Sequence, residues 1–163
     1  MVDLKRTSGV VIALVTGLED PEGLGRIKVK FPWLPAEPES TWCRVASPLA
    51  GNGHGMYFAP ELDSEALVAF EHGDFNCPYI IGYLWSGETE LPEAELSQRL
   101  IQSVTGNSIL LDDKEGAEGI TISDKHGNTI VMNEDGIEIK AKKITLLSEG
   151  ELKAEGDPIQ LNP

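Results

Sequence analysis

Between residues 8 and 85 apolar and polar positions alternate in short β-type runs separated by turn residues. In residues 25–31 (GRIKVKF), Ile27, Val29 and Phe31 alternate with Arg26, Lys28 and Lys30, as a half-buried strand requires. Residues 10–16 (VVIALVT) precede it across a turn-rich connector, GLEDPEGL, so the two runs pair most simply as a hairpin. Residues 40–46 (STWCRVA), 65–71 (EALVAFE) and 78–85 (PYIIGYLW) supply three further strands, with a long loop between the third and fourth. Five strands in this arrangement predict a small closed barrel of the oligonucleotide/oligosaccharide-binding (OB) type over residues 1–87.

The pattern then changes. Residues 88–104 are acidic around Pro92, and they are expected to form a linker with at most a short helix. Residues 105–163 contain no aromatic residue and carry a repeat. Gly106-Asn107-Ser108-Ile109-Leu110-Leu111-Asp112-Asp113 returns as Gly127-Asn128-Thr129-Ile130-Val131-Met132-Asn133-Glu134. Each copy leads into a second strand, at 119–122 and 136–139, and residues 143–146 and 151–154 continue the pattern more loosely.

Within these strands apolar residues fall at i and i+2, so one face of each is apolar. The expected inward set is Ile109, Leu111, Ile120, Ile122, Ile130, Met132, Ile137, Ile139, Ile144 and Leu146. Short strands with no helix and no large aromatic residue to cover that face cannot bury it alone, and two clear repeats are too few for a single-chain solenoid. Three chains wound together would enclose one apolar axis and hide the strand edges. The fold expected is therefore all-β: an OB barrel followed by an intertwined triangular β-helix (β-prism) in a homotrimer. Asn107, Asn128, Gly119 and Gly136 are the corner candidates. An antiparallel meander packed on the first domain is the other arrangement this pattern allows.

Charge and chemistry narrow the function. Thirteen basic residues against 27 acidic ones give a formal charge of −14, which repels phosphate backbones and anionic membranes, so no nucleic-acid partner is expected. No apolar run reaches membrane-spanning length and the N-terminus lacks a typical cleavage site, so the chain is expected to be soluble and made in the cytoplasm. Cys43 and Cys77 lack ligand spacing and read as free thiols. The glycines of AGNGHGMYFAPE (residues 50–61) have no following lysine and run into an extended segment stopped by Pro60, which fits a corner better than a phosphate loop. His54, His72 and His126 lie far apart, the acidic pairs Asp112-Asp113 and Glu134-Asp135 recur as turn residues, and Ser47, Ser64 and Ser86 have no nucleophile context. No catalytic, metal or cofactor residue is therefore assigned. Trp33, Trp42 and Trp85, with Phe31 and Phe70, read as core and interface residues; the other use, a sugar-stacking platform, would make the chain an oligosaccharide-binding module.

The series LGRIKVKFPW (24–33), WCRVASPLAG (42–51), GMYFAPELDSEALVAFEHGD (55–74) and PYIIGYLW (78–85) resembles, in order, the central-spike proteins of contractile injection machines. That family comprises phage baseplate assembly protein V and the VgrG spikes of type VI secretion. The resemblance implies a homotrimeric spike with a collar of OB barrels and a needle that pierces the target envelope when the sheath contracts, touching its membrane transiently. It implies a place in a phage tail, a secretion apparatus or a released injection particle. Because the barrel begins within about ten residues of the first, a separate hub protein is expected on the tube side. Because EGDPIQLNP carries no histidine, a PAAR-type tip protein docking on Ile159 and Leu161 is expected in place of a metal-bound apex.

Overall fold

The computed structural model describes residues 9–35, 38–87 and 90–160 and divides the chain into two units, residues 1–91 and 92–163. In the first, β1 (Val10–Gly17), β2 (Lys28–Lys30), β3 (Arg44–Val45), β6 (Glu65–Phe70) and β7 (Pro78–Leu84) form one sheet in the order β2-β1-β6-β7-β3. All neighbours are antiparallel except β3 and β7, which pair Arg44 with Tyr79 and Val45 with Ile80 in parallel. The sheet closes where Ile27 and Cys43 exchange backbone hydrogen bonds of 2.9 and 2.8 Å. The circuit β1-β2-β3-β7-β6 is the five-stranded OB barrel that the alternation predicts. The second and third strands are shorter than the runs 25–31 and 40–46, because isolated bridges at Ile27–Cys43 and Lys30–Glu39 make the seam instead of a continuous ladder.

Alternate residues fill the barrel. Ala13 and Val15 from β1, Val29 from β2, Ala66, Val68 and Phe70 from β6, and Ile80 from β7 are buried with Phe31. The Phe31 ring lies 4.9 Å from Phe75, 5.9 Å from Trp33 and 6.0 Å from Phe70 between centroids, within the range of favourable aromatic pairs. The tryptophans are not core residues, contrary to part of the expectation. Trp33 and Trp85 are 41% and 65% exposed, and Trp42 is half-buried beneath Lys28 Nζ at 5.3 Å. Phenylalanines already occupy the interior, and the Trp33 indole N–H is used at the surface, donating to the Ile12 carbonyl at 3.1 Å.

The β1–β2 connector is organised by one carboxylate. Asp20 accepts from the backbone N–H groups of Glu22 (3.1 Å), Leu24 (3.0 Å) and Arg26 (3.2 Å), and from Arg26 Nε (2.9 Å) and Nη2 (2.7 Å). Its side chain is 2% exposed. The Arg26 guanidinium, helped by those backbone donors against the cost of burial, holds the Asp20 carboxyl well below the usual carboxylate range. The contribution of this group is therefore complete above the ordinary carboxylate range and is lost progressively as pH falls from there to the depressed value. Asp20→Ala strands three N–H groups at once and leaves the Arg26 guanidinium with Glu22 alone, 2.9 Å away, and it is expected to lower the barrel's heat-unfolding midpoint by several degrees while leaving the mass of the assembly unchanged, measured by calorimetry and light scattering.

The glycine-rich loop turns a corner, as its lack of phosphate-binding context predicts. β4 (Ala50–Gly51) and β5 (His54–Gly55) pair antiparallel across an Asn52-Gly53 turn in which Gly53 has φ +74°. A Cβ on Gly55 would stand 2.5 Å from the Leu49 carbonyl oxygen, so only glycine fits there.

In the second unit β8 (Gln98–Gln102), β9 (Ser108–Asp112), β10 (Gly119–Ser123), β11 (Thr129–Asn133) and β12 (Gly136–Lys140) form an antiparallel meander in sequence order. β8 occupies part of the stretch 88–104 expected as linker or short helix. It forms because residues 103–107 make the same hairpin turn as residues 124–128, which returns the chain onto β9. In both turns the first residue's N–H donates to the carbonyl of the fifth (Ser103 to Asn107, 2.8 Å; Asp124 to Asn128, 3.1 Å). In both, the fourth residue is a glycine with positive φ, +90° at Gly106 and +83° at Gly127. The repeated glycine therefore takes the positive φ, while its asparagine partner bonds back to the turn's first side chain. Gly119 opens β10 for another reason: a Cβ there would meet the Met132 carbonyl oxygen at 2.8 Å. Residues 143–146 and 151–154 are in no strand; the ladder of this chain ends at β12.

These turns make the unit acid-sensitive. The Asn128 side-chain amide (2.6 Å), then its backbone N–H (3.0 Å), hold the Asp124 carboxyl below its ordinary 3.8. The Gln98 amide at 2.6 Å does the same for Asp112. Groups with depressed pKa stabilise fully above their unfolded value and lose that contribution as pH falls through the folded one. The melting midpoint of this unit should therefore be level above about pH 5 and fall below about pH 4. Asp124→Asn should flatten that fall, as read by circular dichroism melts across pH.

Candidate functional site

The meander aligns the repeat's apolar residues into two ladders on one face. Direct partners run Ile101–Ile109–Ile122–Ile130–Ile139 in the first and Arg99–Leu111–Ile120–Met132–Ile137 in the second. Side chains directly opposite across antiparallel strands stand about 5 Å apart, so these rows make one continuous apolar surface. Arg99 ends the second row at the β8 edge, where Nη1 donates to Asp113 Oδ2 at 2.9 Å and to the Ser97 carbonyl at 2.8 Å. The surface is open. No described residue from 92 to 160 is buried, and the ladder isoleucines are 37–40% exposed on β9 to β11 and 55% and 70% exposed on β12, at Ile139 and Ile137. The opposite face is mixed, pairing Leu110, Thr121, Val131 and Glu138 in one row and Ser108, Ser123, Thr129 and Lys140 in the next.

Of the residues the sequence assigns to an axis, Ile109, Leu111, Ile120, Ile122, Ile130, Met132, Ile137 and Ile139 share this face. Ile144 and Leu146 lie outside the sheet and are exposed. Ile159, assigned to tip docking, is exposed beside Gly156; Leu161 lies outside the described residues. Ile101 and Arg99 extend the ladders but escape the sequence reading. Their signal is the kinship of the turns S-V-T-G-N and D-K-H-G-N, which requires a strand before the first as before the second.

The barrel carries a second feature, an apolar cleft of about 570 Å³ between the start of β2, the chain after β3 and the end of β7. Leu24, Leu49, Met56 and Phe58 line it, none of its lining residues is charged, and burial pushes the Tyr83 hydroxyl pKa up to about 12, so it stays protonated at neutral pH. His54 lines the same cleft, His72 follows β6 and His126 sits in the 124–128 turn. Among the described residues no cluster of His, Cys, Asp and Glu is placed to hold a metal ion. Cys43 is buried, with burial raising its thiol pKa, and Cys77 is exposed.

The Type VI secretion system/phage-baseplate injector OB domain family matches residues 11–85, and the phage baseplate V C-terminal trimerisation domain family matches residues 98–162. The type VI secretion spike protein VgrG1c of Pseudomonas aeruginosa is 32% identical over 127 residues, covering 68% of this chain and 17% of the relative. VgrG3 of Vibrio cholerae is 29% identical over 133 residues, covering 72% and 13%. A Vibrio cholerae protein described as actin cross-linking toxin VgrG1 is 28% identical over 153 residues, covering 83% and 14%. The chain thus spans less than a fifth of the length of these relatives. The trimerisation match lies over the open apolar ladders and supports a homotrimer. With an injector OB domain and a baseplate V trimerisation domain in succession, and spike proteins as relatives, the chain belongs to the phage baseplate V/VgrG family of injector spike proteins.

Proposed function

We propose that three copies of this chain form the central spike of a contractile injection machine, below the hub and tube, and that sheath contraction drives the spike through a target envelope. The observation that carries this reading is the pair of apolar ladders in a sheet with no buried residue. In the proposed assembly Ile109, Leu111, Ile120, Ile122, Ile130, Met132, Ile137 and Ile139 face the three-fold axis, and Ile144 and Leu146 join them once neighbouring chains supply partner strands. The barrel domain spans residues 1–87 and the needle is built from β8 onward. A hub protein binds on the tube side, and a PAAR-type tip protein docks through Ile159 and Leu161. The role is mechanical: resistance to forced opening depends on the unfolding rate, and interwound chains with a shared apolar axis unfold slowly. Three chains carry three times −14, or −42, which keeps the spike soluble and non-adhesive past anionic surfaces.

Light scattering of the purified chain, repeated after heating in detergent, tests the proposal. A mass of three chains that survives heating supports it, and a monomer rejects it for this chain. The exposed Trp33 and Trp85 favour a second reading, an oligosaccharide-binding module, which a monomer with measurable glycan affinity would support.

A further inference from the structure

Two apolar surfaces of the barrel take no part in the ladders. On the outer side of the sheet, Val10 pairs with Ala69 and Ile12 with Leu67; Val10 and Ile12 are 52% and 45% exposed, and Leu67 is half-buried. The other is the rim of the cleft, where Met56, Tyr57 and Phe58 stand exposed in an extended segment. In the closed circuit β1-β2-β3-β7-β6, strand β3 lies across the barrel from the β1–β6 pair. The cleft wall follows β3 in the chain, so the two surfaces face different ways.

We propose that the barrels of a trimer meet head to tail, with the β1–β6 face of one chain (Val10, Ile12, Leu67) seated on the cleft rim (Met56, Tyr57, Phe58) of the next. The inference rests on the trimeric reading above. Three-fold symmetry makes every contact between neighbours heterologous, so each barrel must present two different, complementary patches. A barrel with one apolar patch would satisfy only one of its two neighbours. Charge favours the cleft as one side of the contact: each chain carries −14, so copies approach best through surfaces poor in charge, and no Asp, Glu, Lys or Arg lines the cleft. The tether makes a modest patch sufficient. Residues 85–97 join β7 to β8 and reach at most roughly 50 Å, which keeps neighbouring barrels at an effective concentration of the order of millimolar once the C-terminal segments associate.

The test uses the full chain in a Cys77→Ser background, since Cys77 is exposed and Cys43 is buried. Ile12→Cys and Phe58→Cys are introduced singly and together, and the native protein is treated with a flexible bismaleimide. The double variant should yield a covalent trimer on a denaturing gel, and each single variant only monomer. Covalent dimers from either single variant would mean that like surfaces meet, which overturns the proposal. A trimeric mass by light scattering with no cross-link in the double variant overturns it alone, as it would if a different protein covered these faces. A monomeric mass overturns it together with the trimeric reading.

Discussion

Ile122→Asp is expected to convert the trimer into monomers while the barrel keeps its own heat transition. Ile122 sits in the central strand of the meander, between Ile109 and Ile130 in the five-membered isoleucine ladder. In the proposed trimer, where this ladder faces the three-fold axis, the substitution brings three carboxylates together in an apolar environment. Burying one unpaired charge costs several kcal/mol even after relaxation, and like charges nearby add to it, so a loss of about 3–5 kcal/mol per chain is expected. Thr121→Asp, one residue away on the opposite face, should leave the mass unchanged. Ile139→Asp, at the β12 end of the same ladder, should act in the same direction as Ile122→Asp. Retention of full trimer heat stability in Ile122→Asp or Ile139→Asp would reject the register that places this ladder on the axis.

Phe31→Ala should act on the other unit. Phe31 is fully buried and touches Trp33, Phe70 and Phe75. Large-to-small changes at such sites typically cost about 3–5 kcal/mol, because the surrounding rings relax only partly into the cavity. The barrel's unfolding transition should shift strongly downward while the mass by light scattering stays at three chains. Loss of both together would show that the barrel is needed for association.

The barrel was readable in the sequence because each strand is half-buried: Ile27, Val29 and Phe31 alternate cleanly with charged residues, and the interior needs that alternation. The same logic failed at β8, where Leu100 and Ile101 are adjacent and point to opposite faces, so no period of two is visible. Register decides their places, and register comes from the length of the 103–107 turn. The tryptophans show a different limit. Size and hydrophobicity suggest core, yet a small barrel filled by Phe31, Phe70 and Phe75 has no room for indoles. The face shared by the repeat's isoleucines follows from sequence alternation, whereas their alignment into straight rows follows only from paired strands. Sequence also could not show that the AGNGHG loop borders an uncharged cleft, since Leu24 and Tyr83 reach it from distant elements.

The meander has a consequence for the order in which the protein acquires its shape. Its pairings are local, Gln102 with Ser108 and Ser123 with Thr129, whereas the barrel sheet requires Arg44 to find Tyr79 and Val10 to find Ala69. Hairpins of this kind zip in microseconds, and topologies rich in distant contacts are slower. The C-terminal pairings of each chain thus form ahead of those of its barrel, and until other chains cover them its isoleucine rows are bare and its β8 and β12 edges unpaired. Assembly then becomes a race between encounter with two correct partners and pairing with wrong edges, and chain concentration speeds both.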